Sequence, residues 1–269
     1  MQRSLIAGPF AAALLLAAAS SAHAQAPISS TFDTDLDGWS ALGFDVDVSV
    51  IPLGVDFTEV DNTTDMVHSA TGGNPGGYAE LTDAIEEPSS FASAPAKFRG
   101  DLSAYVGGTL SFDYALFDAG TPNSGISPLT VAVFSGDVDD LNALIWIGDA
   151  PTPGPDWNSF ELAFDTADNG GDFVPVQELQ VSELGTLFGF DVPIGGTVGD
   201  LLGPATLTPT EILASVDRMI LPFEVVDNDG TQNQEDAGLD NVLLTAAAIP
   251  EPTSLGMLAL GGLMLRRRR

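Results

Sequence analysis

Two kinds of residue in this 269-residue chain have the chemistry and spacing to do work, and acidic residues come first. Asp33-Thr34-Asp35-Leu36-Asp37-Gly38 begins like the D-x-D-x-D-G loop in which alternate carboxylates wrap one hard cation. A complete loop of that kind would carry Glu at its twelfth position; counting from Asp33, Phe44 stands there, and no helices are signalled on either side. Asp227-Asn228-Asp229-Gly230, followed by Glu235 and Asp236, is a second acidic loop that suits a surface turn as well as a cation site. Aromatic residues come next, because pyranose rings present C–H faces that pack on exposed aromatic rings. Trp157, following the loop Pro151 to Pro155, and Tyr105 are the candidate sugar contacts, while Trp146 within Leu144-Ile145-Trp146-Ile147 reads as core.

Catalytic chemistry has little to work with. His68 is the histidine left once His23 is assigned to a leader segment, and no G-x-S-x-G nucleophile motif accompanies it. Glu80, Glu161 and Glu224 lie on strand-like segments and could pair as a glycosidase would require, but nothing in the sequence sets two of them on one cleft. The expectation is therefore a protein that is not an enzyme.

The elements that must position these groups are short and alternating. Thr109 to Phe117 places Leu110, Phe112, Tyr114 and Leu116 on one face, the period-2 pattern of a half-buried strand. Leu129 to Phe134, Leu144 to Ile147, Trp157 to Phe164, Met219 to Val226 and Leu239 to Thr245 read as further strands, bounded by Gly, Pro, Asn and Asp. Many short strands between turns predict an all-β antiparallel sandwich of the jelly-roll kind. Thr208-Pro209-Thr210-Glu211 carries a capping box with proline at the first helical position, predicting one short helix over about 209–217. The Gly-rich stretch Asn169 to Pro204 predicts an insertion that is partly irregular.

Both ends of the chain read as addresses. Met1 to Ala24 has a basic start with Arg3, an apolar stretch and the small-residue exit Ala22-His23-Ala24, the pattern of a signal peptide removed by signal peptidase. Residues 249–269 hold Pro250-Glu251-Pro252, an apolar run from Leu255 to Leu265, and Arg266, Arg267, Arg268 and Arg269. This tail resembles the PEP-CTERM sorting signal of exported bacterial proteins. The resemblance implies recognition by a membrane exosortase, transient anchoring through the tail, and delivery to the cell surface or extracellular matrix. The two end segments are expected to be helical.

Between the ends, residues 25–248 are expected to form one domain. Residues 25–249 keep three bases, Lys97, Arg99 and Arg218, against 37 acids, a formal charge of −34 compared with −30 for the whole chain. Phosphate recognition needs clustered Lys and Arg, so nucleic acid is excluded as a partner. With no cysteine, disulfides cannot hold the fold together outside the cell.

The series Gly76-Gly77-Tyr78-Ala79-Glu80-Leu81, then Ala94-Pro95-Ala96-Lys97-Phe98-Arg99-Gly100-Asp101-Leu102-Ser103-Ala104-Tyr105 and Gly107-Gly108-Thr109-Leu110-Ser111-Phe112-Asp113-Tyr114, ends far downstream in Gly238-Leu239-Asp240-Asn241-Val242. It resembles a laminin B (laminin IV type A) domain over roughly residues 32–246; the 169–204 insertion departs from that family's simpler pattern. The resemblance implies a galactose-binding-type jelly roll and a non-catalytic role in binding polysaccharide or matrix components. It also implies a structural Ca²⁺ where the first and last strands meet, with Asp33, Asp35 and Asp240 as ligands. Competing expectations are a matrix protein with Ca²⁺-stabilised loops and a divergent glycoside hydrolase.

Overall fold

The alternation read from residues 109–117 becomes the central strand of the molecule. In the computed structural model, β7 (Gly108–Asp118) buries Leu110, Phe112, Tyr114 and Leu116 completely or nearly so. Residues 25–47, 56–61, 66–81, 90–120, 126–136, 142–180, 182, 195–226 and 235–248 are described. The leader segment, the Pro250-Glu251-Pro252 tail and the Asp227 to Gly230 loop lie outside the described residues.

Two antiparallel sheets form the sandwich. The first is ordered β10 (Asn158–Phe164), β7, β13 (Asp236–Thr245), β5 (Gly76–Leu81) and β4 (Met66–Gly73), and β1 (Ile28–Ser30) pairs with the later half of β13. The second is ordered β11 (Val174–Pro175), β9 (Ala143–Ile147), β8 (Thr130–Phe134), β12 (Arg218–Pro222), β6 (Ser90–Ser93), β2 (Ser40–Asp47) and β3 (Asp56–Asp61). Successive strands change sheet at β1 to β2, β3 to β4, β5 to β6, β6 to β7, β7 to β8, β9 to β10, β10 to β11 and β12 to β13. The expected all-β sandwich is observed, and the six strands read from sequence lie within four residues of their expected boundaries, while β1 to β6 and β11 were not among them.

The main core lies between the sheets. Tyr114, Phe112, Leu239, Val242 and Leu244 come from the first sheet, and Val131, Val133, Met219 and Leu221 from the second. The 3-10 turn Ala96–Phe98 adds Phe98. Burying a large apolar side chain stabilises by roughly 2–3 kcal/mol, so this cluster replaces the disulfides the chain lacks.

The last strand would lose its phase without an irregularity. Leu239 faces the core, and strict alternation would put residue 241 there next. The register against β7 instead shifts between Asp240 and Leu243, Asn241 takes a positive φ of 50°, and Val242 and Leu244 become the buried pair. One extra residue thus keeps both halves of β13 apolar toward the core and turns Asp240 and Asn241 to the outer side.

The capping box forms as expected. Thr208 Oγ1 accepts from the Glu211 amide and Glu211 Oε2 accepts from the Thr208 amide at the start of a helix over Pro209–Ala214. A second helix, unpredicted, covers Val198–Leu202 inside the insertion. In chain order these are α2 and α1. The insertion also adds β11 to the free edge of β9, and its Val176, Leu179 and Val198 form a second apolar cluster with Phe91, Phe134, Ile145 and Ile220. It therefore covers apolar residues on the outer side of the second sheet.

Candidate functional site

The outer face of the first sheet should be polar, yet part of it is dry. Ala115, Gly238 and Asp113 alternate with core residues on β7 and β13, and all three are buried. Side chains from neighbouring strands cover them in two adjoining groups.

The first group is aromatic. Trp157, Tyr78 and Phe117 make three mutual edge contacts with ring centroids 5.4 Å (Tyr78–Trp157), 5.5 Å (Phe117–Trp157) and 5.7 Å (Tyr78–Phe117) apart. Trp157 Nε1–H donates to the Gly72 carbonyl at 2.9 Å, fixing the indole across the strands. Tyr78 is nearly buried, and Trp157 and Phe117 are half-buried, so part of both rings faces solvent. Gly238 is the floor: a Cβ there would lie 2.8 Å from Trp157 Cη2 and 2.8 Å from Tyr78 Cδ2. Gly238→Ala is accordingly expected to displace both rings, cost about 1–3 kcal/mol by overpacking, and alter the near-ultraviolet circular dichroism; an unchanged spectrum would show that the rings do not rest on this glycine.

The second group is carboxylate and amide. Asp113 and Asp240 are direct cross-strand partners on β7 and β13, 8% and 0% exposed. Asp240 Oδ2 accepts from the Asn74 backbone amide and Oδ1 from that of Asn241, both at 2.7 Å. Asp113 Oδ2 accepts from the Asn241 side chain at 2.8 Å and the Asn74 side chain at 3.2 Å, and Oδ1 from the Ser159 hydroxyl at 2.5 Å. Asn241 also donates to the Asn74 carbonyl, tying the β4–β5 turn to the β13 irregularity. Burial pushes the Asp240 carboxyl from 3.8 up to about 6, against the two backbone amides, and the charges of Asp113 and Asp33 add to the rise.

Asp33 belongs to this neighbourhood and Asp35 does not. Asp33 Oδ2 accepts from Thr31, and a Cβ on Gly76 would collide with its Oδ1. Asp35 Oδ1 accepts from the Asp37 amide at 2.7 Å, and Asp37 pairs with Lys97, so the acidic loop is a turn that delivers Trp39 into the core. Among the described residues no three His, Asp or Glu side chains are grouped to hold a metal. The expected ligands Asp33, Asp35 and Asp240 are not grouped in this way: Asp35 Oδ1 and both Asp240 oxygens accept from backbone amides. Millimolar Ca²⁺ is expected to leave the melting temperature within about a degree of that in chelator, and a rise of several degrees would restore the ion site.

The remaining candidates separate. Tyr105 is 4% exposed within the core and its hydroxyl donates to the Ala26 carbonyl, which corrects its expected role as a sugar contact. His68 Nε2–H donates to the Phe32 carbonyl at 2.7 Å. Glu224 accepts from the Ser90 amide. Glu80 and Glu161 sit on β5 and β10, three strand spacings apart, which is roughly 14 Å and beyond the roughly 5–9.5 Å of glycosidase carboxylate pairs. Tyr78, Phe117, Asn74, Asp113, Ser159 and Asn241 had no sequence reading as site residues. The one signal was Phe117, an aromatic that falls on the polar side of the alternation in β7.

No family model and no curated protein matches the chain. Among solved structures it is similar to the L4b domain of human laminin alpha-2, at 12% identity and a TM-score of 0.42, over 81% of this chain and 97% of that one.

Proposed function

We propose that this chain is an exported, non-catalytic binding protein whose sandwich takes polysaccharide or matrix components at the cell surface or in the extracellular matrix. The observation that carries the reading is the Trp157–Phe117–Tyr78 platform, in which Trp157 and Phe117 are partly exposed and the indole is held by its bond to Gly72. A rigid aromatic surface with hydrogen-bonding groups beside it suits the C–H faces and hydroxyl edges of sugars. Hydrolysis is disfavoured by the separation of Glu80 from Glu161 and by the burial of the Asp113–Asp240 pair.

Export rests on the leader pattern of residues 1–24 and the Pro250-Glu251-Pro252 tail. In this reading signal peptidase and an exosortase-type enzyme process the ends, and the tail is the one membrane contact. No helix among the described residues is long and apolar enough to cross a membrane. The test is retention of the purified chain on a panel of insoluble polysaccharides, with release of reducing sugar measured in the same samples. Retention without sugar release is expected; the reading fails if no polysaccharide retains the protein, or if sugar is released.

A further inference from the structure

The aromatic platform is bordered by carboxylates with no base among them. Asp236 lies opposite Asp118 in the β13–β7 register, and Glu80 lies opposite Gly238, the floor under Trp157 and Tyr78. Burial raises the Asp236 carboxyl, and the charges of Glu80 and Asp118 raise it further. Its Oδ1 is enclosed and lacks a hydrogen-bond partner among the described residues. Burial likewise raises the Tyr78 hydroxyl, opposed by a bond with Ser69 and reinforced by Glu80 and Asp236. The three bases of residues 25–249 are elsewhere: Lys97 on Asp37 and Ser29, Arg99 on Ala94, and Arg218 on β12 of the other sheet.

A sugar arriving here meets two kinds of surface at once. Trp157 and Phe117 offer apolar ring area, and the neighbouring strands offer negative charge that no base among the described residues is seen to balance. A neutral sugar uses only the first, a uronate or sulfated sugar is repelled by the second, and an amine-bearing sugar uses both, its ammonium also being attracted to the aromatic faces. We propose that the Trp157–Phe117–Tyr78 platform with Glu80, Asp118 and Asp236 is a binding site for amino sugars carrying a free amine. This rests on the polysaccharide-binding reading and narrows its ligand: the pyranose packs on Trp157 while its ammonium donates to the carboxylates.

Calorimetric titration of the purified chain with a β-1,4-linked glucosamine tetramer, its N-acetylated counterpart and a galacturonate tetramer tests this. The glucosamine tetramer is expected to bind about tenfold tighter than the N-acetylated one, the increment of one charge-assisted contact, and the uronate not detectably. E80Q, alone and with D236N, is expected to bring that ratio down toward one while N-acetyl binding stays. W157A should weaken both ligands by about tenfold or more, the size of a lost stacking platform, with W157F recovering part; circular dichroism checks that each variant is folded. The remote pair D168N/E178Q controls for the general negative charge and should change nothing. The site is overturned if W157A binds as the parent does, if E80Q/D236N leaves the ratio unchanged, or if the remote pair lowers it equally. Failure of the glucosamine tetramer alone, with retention on insoluble polysaccharide intact, overturns the amino-sugar site and leaves the wider reading standing.

Discussion

Glu235→Ala is expected to destabilise the fold by about 3 kcal/mol, the cost of leaving two buried amides without an acceptor. Glu235 is 2% exposed. Its carboxylate accepts from the Val225 amide at 3.1 and 3.0 Å and from the Val226 amide at 2.8 Å, closing the backbone where the chain leaves β12 in one sheet for β13 in the other. The Tyr114 hydroxyl donates to the Phe223 carbonyl at 2.8 Å and lies 3.4 Å from Glu235 Oε1. Burial, with Glu235 beside it, pushes that hydroxyl well above the ordinary tyrosine range. Each unsatisfied buried N–H costs roughly 1–3 kcal/mol, and for a domain of this size the loss corresponds to a fall of about 6–12 °C in melting temperature. Glu235→Gln keeps one acceptor oxygen and should lose about half as much. Urea denaturation at neutral pH measures both; a loss below about 1 kcal/mol for the alanine variant would mean that other acceptors take over the two amides.

Stability is also expected to fall as pH rises from about 4 to 7, by on the order of 2 kcal/mol, with Asp240 as the principal titrating group. Its folded pKa of about 6 lies above the ordinary 3.8, so between those values the folded chain holds a proton that the unfolded chain has released. Asp240 therefore adds stability fully below 3.8 and loses it as pH climbs through 6. A shift of this size corresponds to at most about 3 kcal/mol, and screening at the rim of the β4–β5 turn reduces it. Asp101, Asp200 and Glu211 act in the opposite sense. Hydrogen bonds from Ser103, Thr197 and Thr208 hold their carboxyls below the ordinary values, so their contribution is present at higher pH and is lost in strong acid. The stability maximum should lie on the acidic side of neutrality. Urea midpoints between pH 4 and 8 for the parent and for Asp240→Asn give the check: the variant should flatten the slope, and parallel profiles would remove Asp240 as its source.

Much of the fold is legible in the chain because its signals are local. The side chains of Leu110 to Leu116 alternate along a few residues of backbone, and Thr208 to Glu211 close a capping box within one helical turn. That Val176, Leu179 and Val198 from the segment expected to be a partly irregular insertion cover Phe91, Phe134 and Ile220 was not legible, because those three residues come from three other strands. Acidic loops misled in a specific way. Alternating aspartates at 33, 35 and 37 have cation-loop spacing, yet a backbone amide and Lys97 take up Asp35 and Asp37 before any ion is needed.

The sequence by itself determined a strongly acidic, cysteine-free chain with one histidine beyond residue 24 and a set of alternating strands, and those properties follow from composition and from neighbours two to four residues apart. Tertiary structure decided where the chemistry lies. Tyr78 and Phe117 come from two strands and Trp157 from the segment just before a third, and Asn74, Asp113, Ser159 and Asn241 come from one turn and three strands. What brings each set together is the order β10-β7-β13-β5 and the one-residue irregularity at Asp240–Leu243. Strand order and register depend on pairings between segments tens to more than a hundred residues apart, and no short stretch of sequence carries them.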